Sequence, residues 1–123
     1  INFLRINNIK MAIGTSNTKY LTKTVLGANG VLNYFDTIVA GCEDIKGKPY
    51  PDIFLKAAKE LNIAPEDCLV IEDTLHGVLA AHNGGIDAFA IFDDNDTHET
   101  EGIRKEADFY ADNFSEILEK LKF

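Results

Sequence analysis

Short apolar runs alternate with amphipathic stretches from one end of the chain to the other. Lys10 to Thr15 (KMAIGT) is a brief apolar run with a sharp polar end, and it reads as a strand. Asn17 offers an N-cap for a helix reaching about Asn29, where Asn29-Gly30 supplies a stop. Phe35 to Ala40 reads as a second strand, since Thr37, Ile38 and Val39 favour extended backbone. A loop covers Gly41 to Pro51, and proline's fixed φ suits the first position of the helix that follows. Phe54, Leu55, Ala58 and Leu61 recur at helical spacing, so one face of that helix turns inward.

The later half repeats the rhythm. Cys68 to Ile71 is a continuous apolar run, predicted to be a strand central in its sheet. Thr74 to about Asn83 is a helix stopped by Gly84-Gly85, and Ala88 to Phe92 is a fourth strand. A weaker helix, a short strand at Phe109 to Ala111 and a terminal helix from Ser115 to Lys122 complete the chain, which opens in what reads as a helix end. Strands alternating with amphipathic helices imply an α/β fold, a Rossmann-like parallel sheet flanked by helices. Ligands of such sheets bind beyond the carboxyl ends of the strands.

Three polar clusters fall at those ends. Thr15-Ser16-Asn17 combines hydroxyls with first-turn amides in a potential phosphate cradle, although an ordinary N-cap has the same composition. Gly47-Lys48-Pro49-Tyr50-Pro51-Asp52 holds a lysine in a loop stiffened by two prolines; it either neutralises phosphoryl oxygens or is a solvated surface lysine. Glu72-Asp73-Thr74 follows the apolar run directly. Adjacent carboxylates there repel one another and call for a cation, with magnesium favoured by oxygen ligands beside phosphate. The alternative makes Asp73 a helix cap and leaves Glu72 solvated. A hydroxyl, a lysine and an acid pair, each after its own strand, suit phosphoryl transfer.

Composition narrows the setting. The 123 residues suffice for one domain, and 46% hydrophobic with 26% charged residues is an ordinary globular balance. A net charge of −8, densest from Asp93 to Glu101, argues against a nucleic-acid surface and leaves room for a small phosphorylated metabolite. No apolar run approaches the roughly 20 residues of a membrane span, and the start does not resemble a signal peptide. Cys42 and Cys68 lack the spacing of a zinc site or a paired bridge, and both read as reduced, with Cys68 buried, as expected in the cytoplasm.

The run GKPYPDIFLKAAKELNIAPEDCLVIEDTLHGVLAAHNGGI resembles the later motifs of the haloacid-dehalogenase-like superfamily, closest to its β-phosphoglucomutase and sugar-phosphate phosphatase branch. That branch shows G-K-P-x-P-D-x-F, then C-L-V-x-E-D-S-x-x-G-V-x-A-A, and the likeness extends from about Ile6 to the end. The resemblance implies that Thr15 binds the transferring phosphoryl group, with Ser16 and Asn17 beside it. Lys48 would stabilise phosphate and nucleophile together. Asp73 would bind magnesium, with Glu72 as direct or water-mediated partner. Thr74 stands for the usual serine and keeps its hydroxyl, Gly84 stands for a common alanine and is expected to loosen its helix end, and His76 reads as a surface residue.

The family's nucleophile lies in a D-x-D-G-T motif on an earlier strand, and no such motif exists here. Asp94-Asn95-Asp96 has the spacing but is followed by Thr97-His98 and comes after the wrong strand. In the family that strand sits between those read here as Lys10–Thr15 and Cys68–Ile71. With Ile1 rather than Met at the start, residues 1–123 are therefore expected to be the C-terminal portion of one core domain. They would lack the central nucleophile strand and the cap domain, roughly 80 residues in all. The missing segment, or a second chain, would complete the sheet, and the chain alone would be inactive. A non-catalytic binding protein of the same fold stays open. A receiver-like phosphoacceptor fits less well, because there the acid pair comes first and the lysine last.

Overall fold

The computed structural model describes residues 1–41, 44–93 and 99–121; Cys42 and the Asp94-Asn95-Asp96 run lie outside these residues. The described elements are α1 (Asn2–Ile6), β1 (Ala12–Thr15), α2 (Lys19–Ala28), β2 (Thr37–Ala40), α3 (Asp52–Leu61), β3 (Leu69–Glu72), α4 (Leu75–Asn83), β4 (Asp87–Ile91), α5 (Thr100–Glu106), β5 (Phe109–Ala111) and α6 (Phe114–Leu121). Two short 3-10 turns, Leu32–Tyr34 and Pro65–Asp67, were not legible from periodicity. No described helix is long and apolar enough to cross a membrane.

All strand pairing is parallel, and among the described residues it forms two sheets. β1 pairs with β2, from Ala12 opposite Thr37 to Thr15 opposite Ala40. In the second sheet β4 lies between β3 and β5, with Ile71, Phe89 and Phe109 in one row. No backbone pairing joins β1 to β3. Among the described residues β3 is therefore an edge strand of its sheet, unpaired on the side toward β1. Its outward side chains Leu69 and Ile71 remain 37% and 39% exposed, because no described element covers that part of the sheet face.

Helices cover opposite faces of the second sheet. Ala88 and Ala90 of β4 point into the main core with Val78, Ala80 and Ala81 of α4, while Phe89 points the other way, into a smaller cluster with Ala111 and Ile117 beneath α6. Alanines on both α4 and β4 let helix and strand approach closely. α3 packs on β1 and β2 and touches α4, so side chains bridge the two sheets. Its buried residues Ile53, Phe54, Ala57 and Ala58 follow the 3.6-residue period, and Asn62 in the left-handed region (φ 56°) ends the helix.

Three local expectations change. Thr18, not Asn17, caps α2, its hydroxyl accepting from Leu21 N at 3.2 Å. Pro51 sits at the N-cap of α3, one place earlier than expected. At Gly84 a Cβ would lie 3.1 Å from Pro51 Cβ and 3.3 Å from Leu55 Cδ2, so its bareness lets α4 close onto α3. Cys68, expected to be buried, carries a free thiol that is only half-buried; burial, then Asp67 and Glu66, push its pKa up.

Candidate active site

The carboxyl ends of β1 and β3, with the loop after β2, meet at a cleft of about 340 Å³ lined by Ser16, Lys48, Glu72, Asp73, Thr74, His76 and Glu99. Ser16 arrives there because β1 and β2 run on together past their last paired residues. Gly41 N donates to Thr15 O at 2.6 Å, and a Cβ at Gly41 would come within 2.9 Å of Ser16 Cα. Only glycine permits that approach. Thr15 and Asn17 are not among the lining residues; the Thr15 hydroxyl accepts from Asn17 N at 3.1 Å and so shapes the turn that presents Ser16.

The loop that carries Lys48 is pinned at several points. Lys46 N donates to Asp52 Oδ2 at 3.2 Å, Tyr50 N to Gly47 O at 3.0 Å, and Asn83 Nδ2 to Pro49 O at 3.0 Å. The Lys48–Pro49 peptide bond is cis. Lys48 is not a solvated lysine. Its side chain is 14% exposed, its ammonium pairs with Glu72 Oε1, and it lies 4.9 Å above the Phe54 ring. Phe54 fits there because Gly14 lacks a side chain; a Cβ at Gly14 would stand 3.1 Å from the ring.

Glu72 is buried, at 8% exposure, and the alternative that left it solvated does not hold. Its Oε2 accepts from Asp73 N at 3.1 Å, Thr74 N at 3.2 Å and the Thr74 hydroxyl at 3.0 Å, while Oε1 takes Lys48. A buried carboxylate is tolerable on such terms: one cation and three donors replace water. Thr74 in turn caps α4, its Oγ1 accepting from Gly77 N at 3.1 Å. That hydroxyl gives its proton to Glu72 and its lone pair to the helix, which requires serine or threonine at this position. Asp73 is not the cap.

Asp73 is exposed, and its pKa is raised, first by partial desolvation and next by the neighbouring Glu72 charge, with Asp93 adding to both. A backbone hydrogen bond and, least of these effects, the attraction of Lys48 oppose this. The cleft thus holds a neutralised pair beside an unneutralised carboxylate, and an oxygen-ligated divalent cation suits that imbalance. His76 is exposed at the cleft, as its position suggests. Glu99 was not legible from the sequence; it reaches the site across 24 residues to accept from Leu75 N at 3.1 Å. Gly77, the glycine of the E-D-S-x-x-G-V pattern, belongs to the site as well, because a Cβ there would collide with the Glu72 carboxylate.

The chain is 37% identical over 78 residues to a fructose-1-phosphate phosphatase of Escherichia coli, which spans 63% of this chain and 42% of that protein. It is 35% identical over 88 residues to the β-phosphoglucomutase of Bacillus subtilis, covering 72% of this chain and 38% of that enzyme. The crystal structure of a putative β-phosphoglucomutase from Thermotoga maritima superposes with a TM-score of 0.86 at 30% identity, over 98% of this chain and 56% of that one. The chain spans about half the length of that solved structure and about two fifths of each curated enzyme. The model of the haloacid dehalogenase-like hydrolases matches residues 1–85, and the chain belongs to that family.

Proposed function

We propose that the polypeptide carrying this chain transfers phosphoryl groups of a small phosphorylated metabolite, a sugar phosphate or similar, with magnesium and through an aspartyl-phosphate. It acts as a hydrolase or a phosphosugar mutase. One observation carries the reading: Ser16, Lys48 and Asp73, each beyond a different strand, line a single cleft. Relatives that are phosphatases and a phosphoglucomutase support it.

In this reading Lys48, oriented by Glu72 and Phe54, neutralises phosphoryl oxygens as charge shifts in the transition state. Ser16 and the turn around Asn17 receive the phosphate from the β1 side. The family resemblance gives Thr15 a phosphoryl contact; its side chain is not among those that line the cleft, and its own proton is not used by the bond from Asn17 N. Asp73 would hold magnesium, and Glu72, with both oxygens engaged, would steady the lysine and the α4 turn, touching the ion through water. When bound, magnesium supplies positive charge to the phosphate oxygens.

The attacking carboxylate must come from outside these 123 residues, which contain no D-x-D-G-T. The break between β1 and β3 supports a place for the strand that bears it. The test compares turnover of an aryl phosphate by the chain alone and by the natural polypeptide that carries it. We expect none from the chain, and turnover by the natural polypeptide that EDTA abolishes and Asp73→Asn lowers by about 10²-fold or more. Turnover by the chain alone that Asp73→Asn abolishes would overturn the need for an outside carboxylate. Turnover indifferent to EDTA and to Asp73 would overturn the metal.

A further inference from the structure

The family model ends at residue 85, yet the region beyond it delivers a carboxylate to the cleft. Glu99 immediately precedes α5, where its carbonyl accepts from Ile103 N at 2.9 Å. Its side chain leaves that helix and accepts from Leu75 N, the first residue of α4 and two places after Asp73. α4 and α5 also pack directly: a Cβ at Gly102 would lie 3.6 Å from Leu75 Cδ2. One carboxylate therefore ties the start of α5 to the turn that carries Asp73.

The consequence is electrostatic. Free amides at a helix start attract anions. At α4 most are already occupied: Asp73 N and Thr74 N serve Glu72, Leu75 N serves Glu99, and Gly77 N serves Thr74, which leaves His76 N as the amide of this turn that none of these groups takes. This part of the cleft thus offers a phosphate few donors and presents Glu72, Asp73 and Glu99, with His76 beside them and Lys48 paired to Glu72. Anion-accepting groups come instead from Ser16 and Lys48, on the loops after β1 and β2.

We infer that Glu99 is a positioning residue for the cation: it fixes the α4 turn that bears Asp73 and adds an outer carboxylate to the cation-holding end of the cleft. This rests on the phosphoryl-transfer reading above. Glutamine at 99 keeps an oxygen for Leu75 N and removes the charge; aspartate keeps the charge and shortens the reach; alanine removes both.

The test measures Mn²⁺ binding by electron paramagnetic resonance, and melting in EDTA, for the natural polypeptide with Glu99→Gln, Glu99→Asp, Glu99→Ala or Asp73→Asn. Glu99→Gln is expected to melt in EDTA as the parent does and to bind Mn²⁺ about tenfold more weakly. Glu99→Ala should lose at least as much affinity and also melt earlier, and Glu99→Asp should bind more tightly than Glu99→Gln. Parental Mn²⁺ affinity in Glu99→Gln overturns the inference, as does Glu99→Gln binding as tightly as Glu99→Asp, a comparison that holds even if either variant is less stable. Should Asp73→Asn abolish binding while Glu99→Gln leaves it intact, the inference alone fails. If Asp73→Asn binds Mn²⁺ like the parent, the phosphoryl-transfer reading fails with it.

Discussion

Gly77 stands where any β-carbon would fall 2.0 Å from the carboxyl carbon of Glu72. Helix α4 thus leaves a notch in its first turn, and the buried carboxylate fills it. An exposed helical glycine replaced by alanine normally gains about 1 kcal/mol. Here the added methyl must displace Glu72, and with it Lys48 and Thr74. Gly77→Ala is expected to destabilise the fold by about 1–3 kcal/mol despite the better helix propensity. Urea midpoints check this, and a stabilised Gly77→Ala would show that the notch is not filled by Glu72.

Removing one member of the Lys48–Glu72 pair leaves the other buried without its counter-charge. Lys48→Met is expected to cost about 3–5 kcal/mol, and adding Glu72→Gln should restore a large part of it. A double-mutant cycle by denaturant unfolding measures the coupling. Strict additivity of the two changes would mean that the pair contributes nothing.

Asp73 should carry an opposite sign. Its folded-state pKa is raised, so the folded chain binds this proton more tightly than the unfolded chain does. Above the folded pKa the ionised carboxylate is a full liability, and the penalty shrinks as pH falls through that pKa toward the unfolded value near 3.9. In EDTA at pH 7, Asp73→Asn should therefore melt at a higher temperature than the parent, with the gap closing in acid. Melting curves across pH settle the sign.

Asp108 behaves the other way. Its pKa is lowered, first by the bond from Ala88 N (2.7 Å) and then, after an opposing burial effect, by His82 at 2.8 Å. The stabilisation is present above the unfolded carboxylate pKa and is lost as pH falls through the lower folded value. Asp108→Asn should flatten the acid limb of the stability curve, and an unchanged limb would exclude the contribution.

Thr74 has a donor and an acceptor duty. Thr74→Ser should stay within a few tenths of a kcal/mol, whereas Thr74→Val should lose about 1–2 kcal/mol from the missing cap and leave Glu72 short of a donor. Thermal unfolding of the two variants separates hydroxyl from shape.

Much of this molecule was legible in its sequence. The strand at Phe109–Ala111 falls where expected; the period of α3 picks the buried Phe54 and Ala58, whereas Leu55, expected on the same face, is 37% exposed and Leu61 only half-buried. Ser16, Lys48, Glu72 and Asp73 share a cleft because both parallel sheets, bridged by α3, turn the carboxyl ends of their strands to the same side. Other features depend on contacts that no local pattern encodes. Asn17 and Thr18 are both competent caps, and only the bond to Leu21 N decides between them. The run at Leu69 and Ile71 looks like a central strand because it is apolar on both faces, yet no described strand pairs with its outer edge. Glu99 belongs to the site through a bond 24 residues long in sequence, beyond the reach of any motif.

Because backbone pairing stops between β1 and β3, cooperativity need not extend across the molecule. In the chain alone, amide hydrogen exchange should report two regions, β1–β2 with α3 and β3–β5 with α4, opening at different free energies and joined by a shared core that includes Val39, Ile53, Val78 and Ala88. The Lys48–Glu72 contact spans that seam, from the loop after β2 to the last residue of β3. A strand seated between β1 and β3 in the natural polypeptide would close that seam, so the same amides should exchange more slowly there than in the chain alone.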